Sequence, residues 1–402
     1  MSDFNIETGT VTTPKDFLAA AVASGLKAEG LDLALVYSMV PAQAAAVFTV
    51  NKVQAAPVIL SRKHVADGQA RAIILNAGCA NACTGDQGMA DAKETAVLAA
   101  RVLGVAAEEI LVASTGVIGR PLQMAKLRQA IPEVNRLLSP HGGEMAASAI
   151  MTTDLVPKHF SLTLDLDGVA VHIGAMAKGS GMINPDMATM LCVITTDAAI
   201  TSECLERALR RAVDKTLNRL TVDGEMSTND SVFILANGAA GNTLMRTEDE
   251  HFATFTAALT QICLALTRAI AADGEGASKL FIVEVSGAKN EGEAHRAAKA
   301  IANSTLVKTA IFGRDPNWGR VVQAAGACGV DMDAARMSVD FAGMAVVRDG
   351  QPVPFDAEAM RSALAAGEVH AHMHLAAGPA GARVYSCDLT YDYIKINADY
   401  TS

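Results

Sequence analysis

Thr189 sits where two segments of opposite character meet. Residues 178–186, KGSGMINPD, carry glycines, Asn184 and Pro185 that break regular structure. Met190, Leu191, Val193 and Ile194 then form a continuous apolar run suited to a strand buried on both faces, expected over 187–194. An ordinary Thr at such a seam is a β-former. If the Ala188–Thr189 bond were cut, however, Thr189 would carry a free α-amine beside its own hydroxyl, and nucleophile and general base would belong to one residue. An α-amine with a reference pKa of roughly 7.7 to 8 is partly neutral at pH 7 and can take the hydroxyl proton without an imidazole.

Other stretches invite other chemistry. STGVIG places Ser114, Thr115 and Gly116 directly after a short apolar strand at 110–113, the composition of a site wall or of a plain strand-to-helix turn. GSGMIN lacks the third glycine of a dinucleotide fingerprint and GEGASK misses the phosphate-loop spacing, so both read as turns. HAHMH puts His370, His372 and His374 on one face of a strand, but only Glu368 stands nearby to complete a ligand set, and no metal is expected. Cys79 and Cys83 would face one another only on a helix, and the second pair of a structural zinc site is missing; they read as small buried residues.

Positioning such residues takes a large core, which a chain of 402 residues, half of them hydrophobic, can build in two or more domains. Low aromatic content and 32 glycines point to close packing of helices on sheets. A net charge of −10 and a pI near 5.4 argue against a general nucleic-acid binder. No run of about 18 apolar residues is free of charge, so no membrane span is expected. Seven scattered cysteines and a start, MSDFNIETGT, without a basic-then-apolar leader lead us to expect reduced thiols in a cytoplasm.

Along the chain, strands are expected at 34–40, 56–60 and 73–75, helices at 89–103, 123–137 and around Ala147, and two strands in SLTLDLDG and AVHIGAM. Beyond the seam come a helix at 202–218 capped by Ser202, a polar loop and strand in TVDGEMSTNDSVFILANG, a long helix at 250–272, and a Gly-rich bend into a strand. EGEAHRAAKAIANSTLVKTAIFGRDPNWGR reads as a helix, a strand and a loop bearing Trp318.

KGSGMINPDMATML resembles the processing and nucleophile segment of the ornithine acetyltransferase (glutamate N-acetyltransferase) family. So, in order, do VFTVNKVQAAPV, STGVIG, MTTD, TVDGEMSTNDS, LVKTAIFGRDPNWGR and CDLTYDYIKINADY to their counterparts; Cys79 and Ser386 depart from the pattern. The resemblance implies self-cleavage between Ala188 and Thr189, an acetyl group carried on Thr189 from N-acetylornithine to glutamate, and Thr115 and Gly116 as the oxyanion hole. It implies substrate contacts from Thr152, with Thr153 as the alternative, and from Lys178, Thr189, Glu275, Asn397 and Ser402, with no cofactor or metal. Whether acetyl-CoA is a further donor stays open, as does service in a secondary pathway beside arginine biosynthesis. The implied fold is α+β, layered sheets flanked by helices of the N-terminal-nucleophile kind, with a catalytic domain at 1–286 and a smaller α/β domain at 287–402. Two copies each of chains 1–188 and 189–402 are the implied assembly, acting without nucleic acid or membrane. The rival readings are a self-processing aminopeptidase, in which water replaces glutamate, and an unprocessed binding protein.

Overall fold

Sixteen consecutive residues, Leu33–Phe48, make the longest strand, and the way its halves pair organises the fold. The computed structural model describes residues 4–184 and 190–399. The described strands are β1 (Phe17–Val22), β2 (Leu33–Phe48), β3 (Gln69–Cys79), β4 (Ile110–Val117), β5 (Lys158–Leu166), β6 (Val169–Lys178), β7 (Leu191–Thr196), β8 (Ser231–Ala236), β9 (Leu280–Ala288), β10 (Ser338–Phe341), β11 (Met344–Arg348), β12 (Gln351–Pro352), β13 (Glu368–His374) and β14 (Ala380–Cys387). The first half of β2 pairs with β1 and β3, the second with β8, and the register with β3 shifts between Tyr37 and Ala42. The sheet order is β4-β3-β2-β8-β7-β6-β5, with β1 beside β2.

That shift lets the two halves stack. Ile73, Leu75 and Leu111 from β3 and β4 share one apolar cluster with Leu191, Val193 and Phe233 from β7 and β8. The outer face of the first half lies under helices Gly85–Leu103 and Met124–Arg136. The outer face of the second lies under Ser202–Lys215 and Glu250–Ala272. The result is four layers, helix, sheet, sheet, helix, which is the layered α+β architecture expected. The parallel pair β7–β8 is buried on both faces, and every residue of both strands is buried. Helix Glu250–Ala272 is long and apolar enough to cross a bilayer by length and composition, yet it packs on Ser202–Lys215 and on β5, β6, β9 and β14.

A second sheet, in the order β12-β11-β10-β13-β9-β14, carries helices Glu291–Asn303, Thr305–Phe312, Trp318–Gly326 and Ala357–Ala363 around its own core.

Several expectations change. Residues 56–60 begin a helix, Ala56–His64, because Pro57 is preset for a first helical turn and Val58 and Ser61 bury one side. The strand expected after Asn303 is the helix Thr305–Phe312: Ser304 caps it, and Val307, Ala310 and Ile311 bury a face at helical spacing. Trp318 opens a helix capped by Asn317 and is not in a loop. Thr201, one residue before the expected Ser202, caps Ser202–Lys215 by accepting from the Cys204 N–H. The strand after the seam starts at Leu191; of the expected 187–194, residues 187–189 lie outside the described residues.

Candidate functional site

The ends of β4 and β6 and the loop before β8 meet at one cleft of about 200 Å³. At the end of β4, Gly116 adopts φ +129, and a Cβ there would lie 2.4 Å from the Gly78 carbonyl carbon and 2.6 Å from the Cys79 nitrogen. Only glycine permits that approach. The wall is fixed from behind. Ser114 Oγ donates to Asn76 Oδ1 at 2.6 Å, Asn76 Nδ2 to the Cys79 carbonyl at 2.9 Å, and Asn229 Nδ2 to the carbonyls of Ala80 and Ser114 at 2.6 and 2.8 Å. Thr115 thereby presents its hydroxyl to Lys178 at the end of β6, whose Nζ stands 3.4 Å away.

Lys178 is buried, and so is the clamp beneath it. Asp154 accepts from the Gly179 N–H at 2.7 Å and the Thr152 N–H at 3.1 Å, and Lys158 Nζ bridges Asp154 and Asp273 at 2.7 and 2.6 Å. Burial pushes the Asp154 carboxyl up, but the Lys178 and Lys158 charges, the Lys158 hydrogen bond and the Gly179 N–H outweigh it and hold it at about 2. A depressed carboxyl stabilises the fold above its unfolded value near 3.8 and loses that contribution as pH falls through 2. The melting temperature should therefore drop between pH 4 and pH 2. Lys158→Met leaves two buried carboxylates without their cation and should cost roughly 3–5 kcal/mol in urea unfolding; an unchanged midpoint would show that the clamp does not hold the loop.

Opposite this wall, Glu275 donates its N–H to the Ser180 carbonyl at 3.0 Å and lays its carboxylate on Gly181, where a Cβ would come within 2.3 Å of it. Asn397 Nδ2 donates to Glu275 Oε2 at 2.8 Å from the last helix, Tyr391–Asp399. That helix is docked by Thr390 Oγ1 donating to the Gly276 carbonyl at 2.6 Å.

The cleft thus collects Thr115, Gly116, Thr152, Thr153, Lys178, Glu275 and Asn397, together with Met190 and Leu191. Both MTTD threonines line it. Ala188, Thr189 and Ser402 lie outside the described residues. Sequence reading missed Asn76, Asp154, Lys158, Asn229, Asp230 and Asp273; the links Ser114–Asn76, Lys158–Asp273 and Asn229–Ala80 span 38, 115 and 149 positions, and the visible trace was polar residues at strand ends, as in NAGC and STNDS. A larger groove of about 680 Å³ runs beside β2 between Phe48, Arg62, Ser202 and Arg210, and none of the cleft-lining residues borders it.

Among the described residues no histidine and no cysteine lines this cleft. His370 pairs with Glu368, while His372 and His374 both meet Ser286 Oγ, at 2.8 and 3.0 Å. Among the described residues no three His, Cys, Asp or Glu side chains form a metal-binding group. Cys79 is buried at the end of β3, burial pushing its thiol up, and Cys83 is exposed, so the pair does not share a helix face.

Residues 18–402 match the model of the ArgJ family. The chain is 48% identical over 395 residues to the arginine biosynthesis bifunctional protein ArgJ of Symbiobacterium thermophilum, with 98% of each chain covered. Among solved structures it is similar to the arginine biosynthesis bifunctional protein ArgJ of Bacillus halodurans, 42% identical, covering 53% of this chain and 100% of that one with a TM-score of 0.52. The ornithine acetyltransferase of Mycobacterium tuberculosis complexed with ornithine is 43% identical and covers 46% of this chain and 100% of its own, with a TM-score of 0.44.

Proposed function

The chain belongs to the ArgJ family, and on that premise we propose that it cuts itself between Ala188 and Thr189 and then carries an acetyl group on Thr189 from N2-acetyl-L-ornithine to L-glutamate. One observation carries the site reading: Thr115, Gly116, Lys178, Glu275 and Asn397, spread over almost 300 positions, line the same cleft as Met190, the residue next to the nucleophile. The half-length match to the solved Bacillus halodurans chain supports the cut, since residues 189–402 are 214 of 402, or 53%.

In the cut, Thr189 Oγ attacks the Ala188 carbonyl, the acyl group shifts from nitrogen to oxygen, and hydrolysis of the ester releases chains 1–188 and 189–402. The freed amine then takes the Thr189 hydroxyl proton as Oγ attacks the acetamide of N-acetylornithine. Ornithine leaves, and the amine of glutamate takes the acetyl group from the ester. The Thr115 hydroxyl and the Gly116 N–H stabilise the oxyanion in each step, an effect worth roughly 2.7–4 kcal/mol per donor. The Lys178 ammonium matches the α-carboxylate shared by both amino acids, and Glu275, steadied by Asn397, matches the ornithine ammonium. Thr152 or Thr153 and Ser402 supply further contacts. The same acetyl-enzyme serves acetyl-CoA as a second donor, in a cytoplasmic assembly of two copies of each chain.

Purified protein should show two fragments by intact mass, and ornithine release should depend on glutamate with N-acetylglutamate as the matching product. Equal acetate release without glutamate would make the enzyme a hydrolase, and a full-length active chain would exclude the scheme. Turnover of acetyl-CoA in the same assay tests the second donor.

A further inference from the structure

Asp230 stands immediately before β8, is 3% exposed, and lines the cleft beside Met190. Its Oδ2 has no hydrogen-bond partner among the described residues. A buried acid in that state is costly, and a native structure keeps one for a reason. Burial pushes its carboxyl well above the usual carboxylate range, against the pull of the Ser227 hydroxyl and the Lys178 ammonium. The backbone on both sides of Asp230 is held in place. Its neighbour Asn229 is tied to the Ala80 and Ser114 carbonyls, and the Ser231 N–H on its other side donates to the Met190 carbonyl at 2.9 Å. The other ionisable groups lining the cleft are Lys178 from β6, whose charge reaches Asp230, and Glu275 from the bend after Glu250–Ala272, which Asn397 engages.

The described chain thus leaves Oδ2 without a donor, whereas a cut before Thr189 creates one. It frees an α-ammonium with three donors on the residue bonded to Met190, and successive Cα atoms lie about 3.8 Å apart. We propose that Asp230 is the counter-charge that receives the Thr189 α-ammonium after cleavage and fixes that amine as the base of the transfer. The inference rests on the self-cleaving reading above.

The proton balance is simple. In the uncut chain the carboxyl keeps its proton; the newly freed amine takes it, leaving carboxylate and ammonium. For the attack, the ammonium returns that proton to Asp230, the neutral amine accepts the Thr189 hydroxyl proton, and Oγ bonds to the acetamide carbon as the C=O π pair moves onto oxygen; the pair gains one positive charge, balanced by the oxyanion, until the ammonium passes a proton to the ornithine nitrogen as the C–N bond breaks and the carbonyl re-forms.

Asp230→Asn keeps the shape and removes the charge. In the otherwise wild-type chain it should still cut itself, while kcat for transfer falls about a hundred-fold and KM for N-acetylornithine stays within about threefold. The acidic limb of kcat/KM should move down by at least about one pH unit, because the ammonium has lost its partner. In an uncut Thr189→Ala chain the same substitution should raise the melting temperature or leave it unchanged, since it removes an unpaired acid; in the cut chain it should lower it. The proposal is overturned by an unmoved acidic limb, by destabilisation in both backgrounds, or by loss of the fold in both, any of which gives Asp230 a different partner. A folded but uncut Asp230→Asn chain overturns it too, placing Asp230 in the cut itself. Failure of the functional reading looks different: the wild type is not cut, or does not transfer to glutamate.

Discussion

Thr189→Ala should yield one uncut chain of 41.7 kDa and no acetyl transfer above background, a loss of at least about 10⁴-fold in kcat/KM. The described lining offers no substitute. It includes other hydroxyls, on Thr115, Thr152, Thr153, Ser227 and Thr228, but no histidine and no cysteine. A hydroxyl without an adjacent base is a weak nucleophile near neutral pH. Among the described residues the ionisable lining groups are Lys178, Asp230 and Glu275: one a cation, one pushed by burial toward its protonated form, one held by Asn397. Thr189→Ser keeps both a hydroxyl and, once cut, an α-amine, so it should retain cleavage and transfer at reduced rates. Intact mass and a glutamate-dependent ornithine assay read both variants. A Thr189→Ala protein that is cut, or that transfers, would move the nucleophile elsewhere and dissolve the role given to this cleft.

How far this was legible differs between fold and site. Helix 250–272 could be read to the residue, because its long apolar pattern has one compatible period and Asp249 caps it. Residues 56–60 and 305–312 could not, since a short apolar run fits a buried strand and a buried helix face equally; Pro57 and Ser304 were the local signals that decide between them. The layered fold was implied by the resemblance and by no local pattern. It depends on a register shift inside β2, at Tyr37 to Ala42, which no period reveals. In the site, residue types were visible and convergence was not. Thr115 and Lys178 show by type what they could do, but Asn229 shows nothing in sequence of its bonds to Ala80 and Ser114, 149 and 115 residues away. Lys158 reads as a surface charge until Asp273 closes over it.

The same contrast makes Gly116 the most sensitive position of the wall. β3 and β4 run parallel, with Gly78 opposite Gly116, and the pairing slips immediately after, where Cys79 opposes both Thr115 and Val117. A Cβ at 116 would strike backbone atoms of Gly78 and Cys79, which cannot swing aside as a flexible side chain would. The φ of +129 adds strain on the order of 1–3 kcal/mol for any other residue. Gly116→Ala should therefore pry the end of β4 from β3 and displace the Gly116 N–H and the Thr115 hydroxyl together. Self-cleavage and transfer should both fall by at least about 10³-fold, since both donors of the proposed oxyanion hole are displaced at once. Thr115→Ala is the matched comparison. It leaves the backbone in place and removes one donor, for a loss of roughly 10²–10³ in kcat with little change in KM. Fragment appearance followed by mass, beside transfer kinetics on whatever is cut, separates the two. If Gly116→Ala cuts itself at the wild-type rate while Thr115→Ala does not, the hydroxyl alone stabilises the oxyanion and the close approach of β3 and β4 serves only the fold.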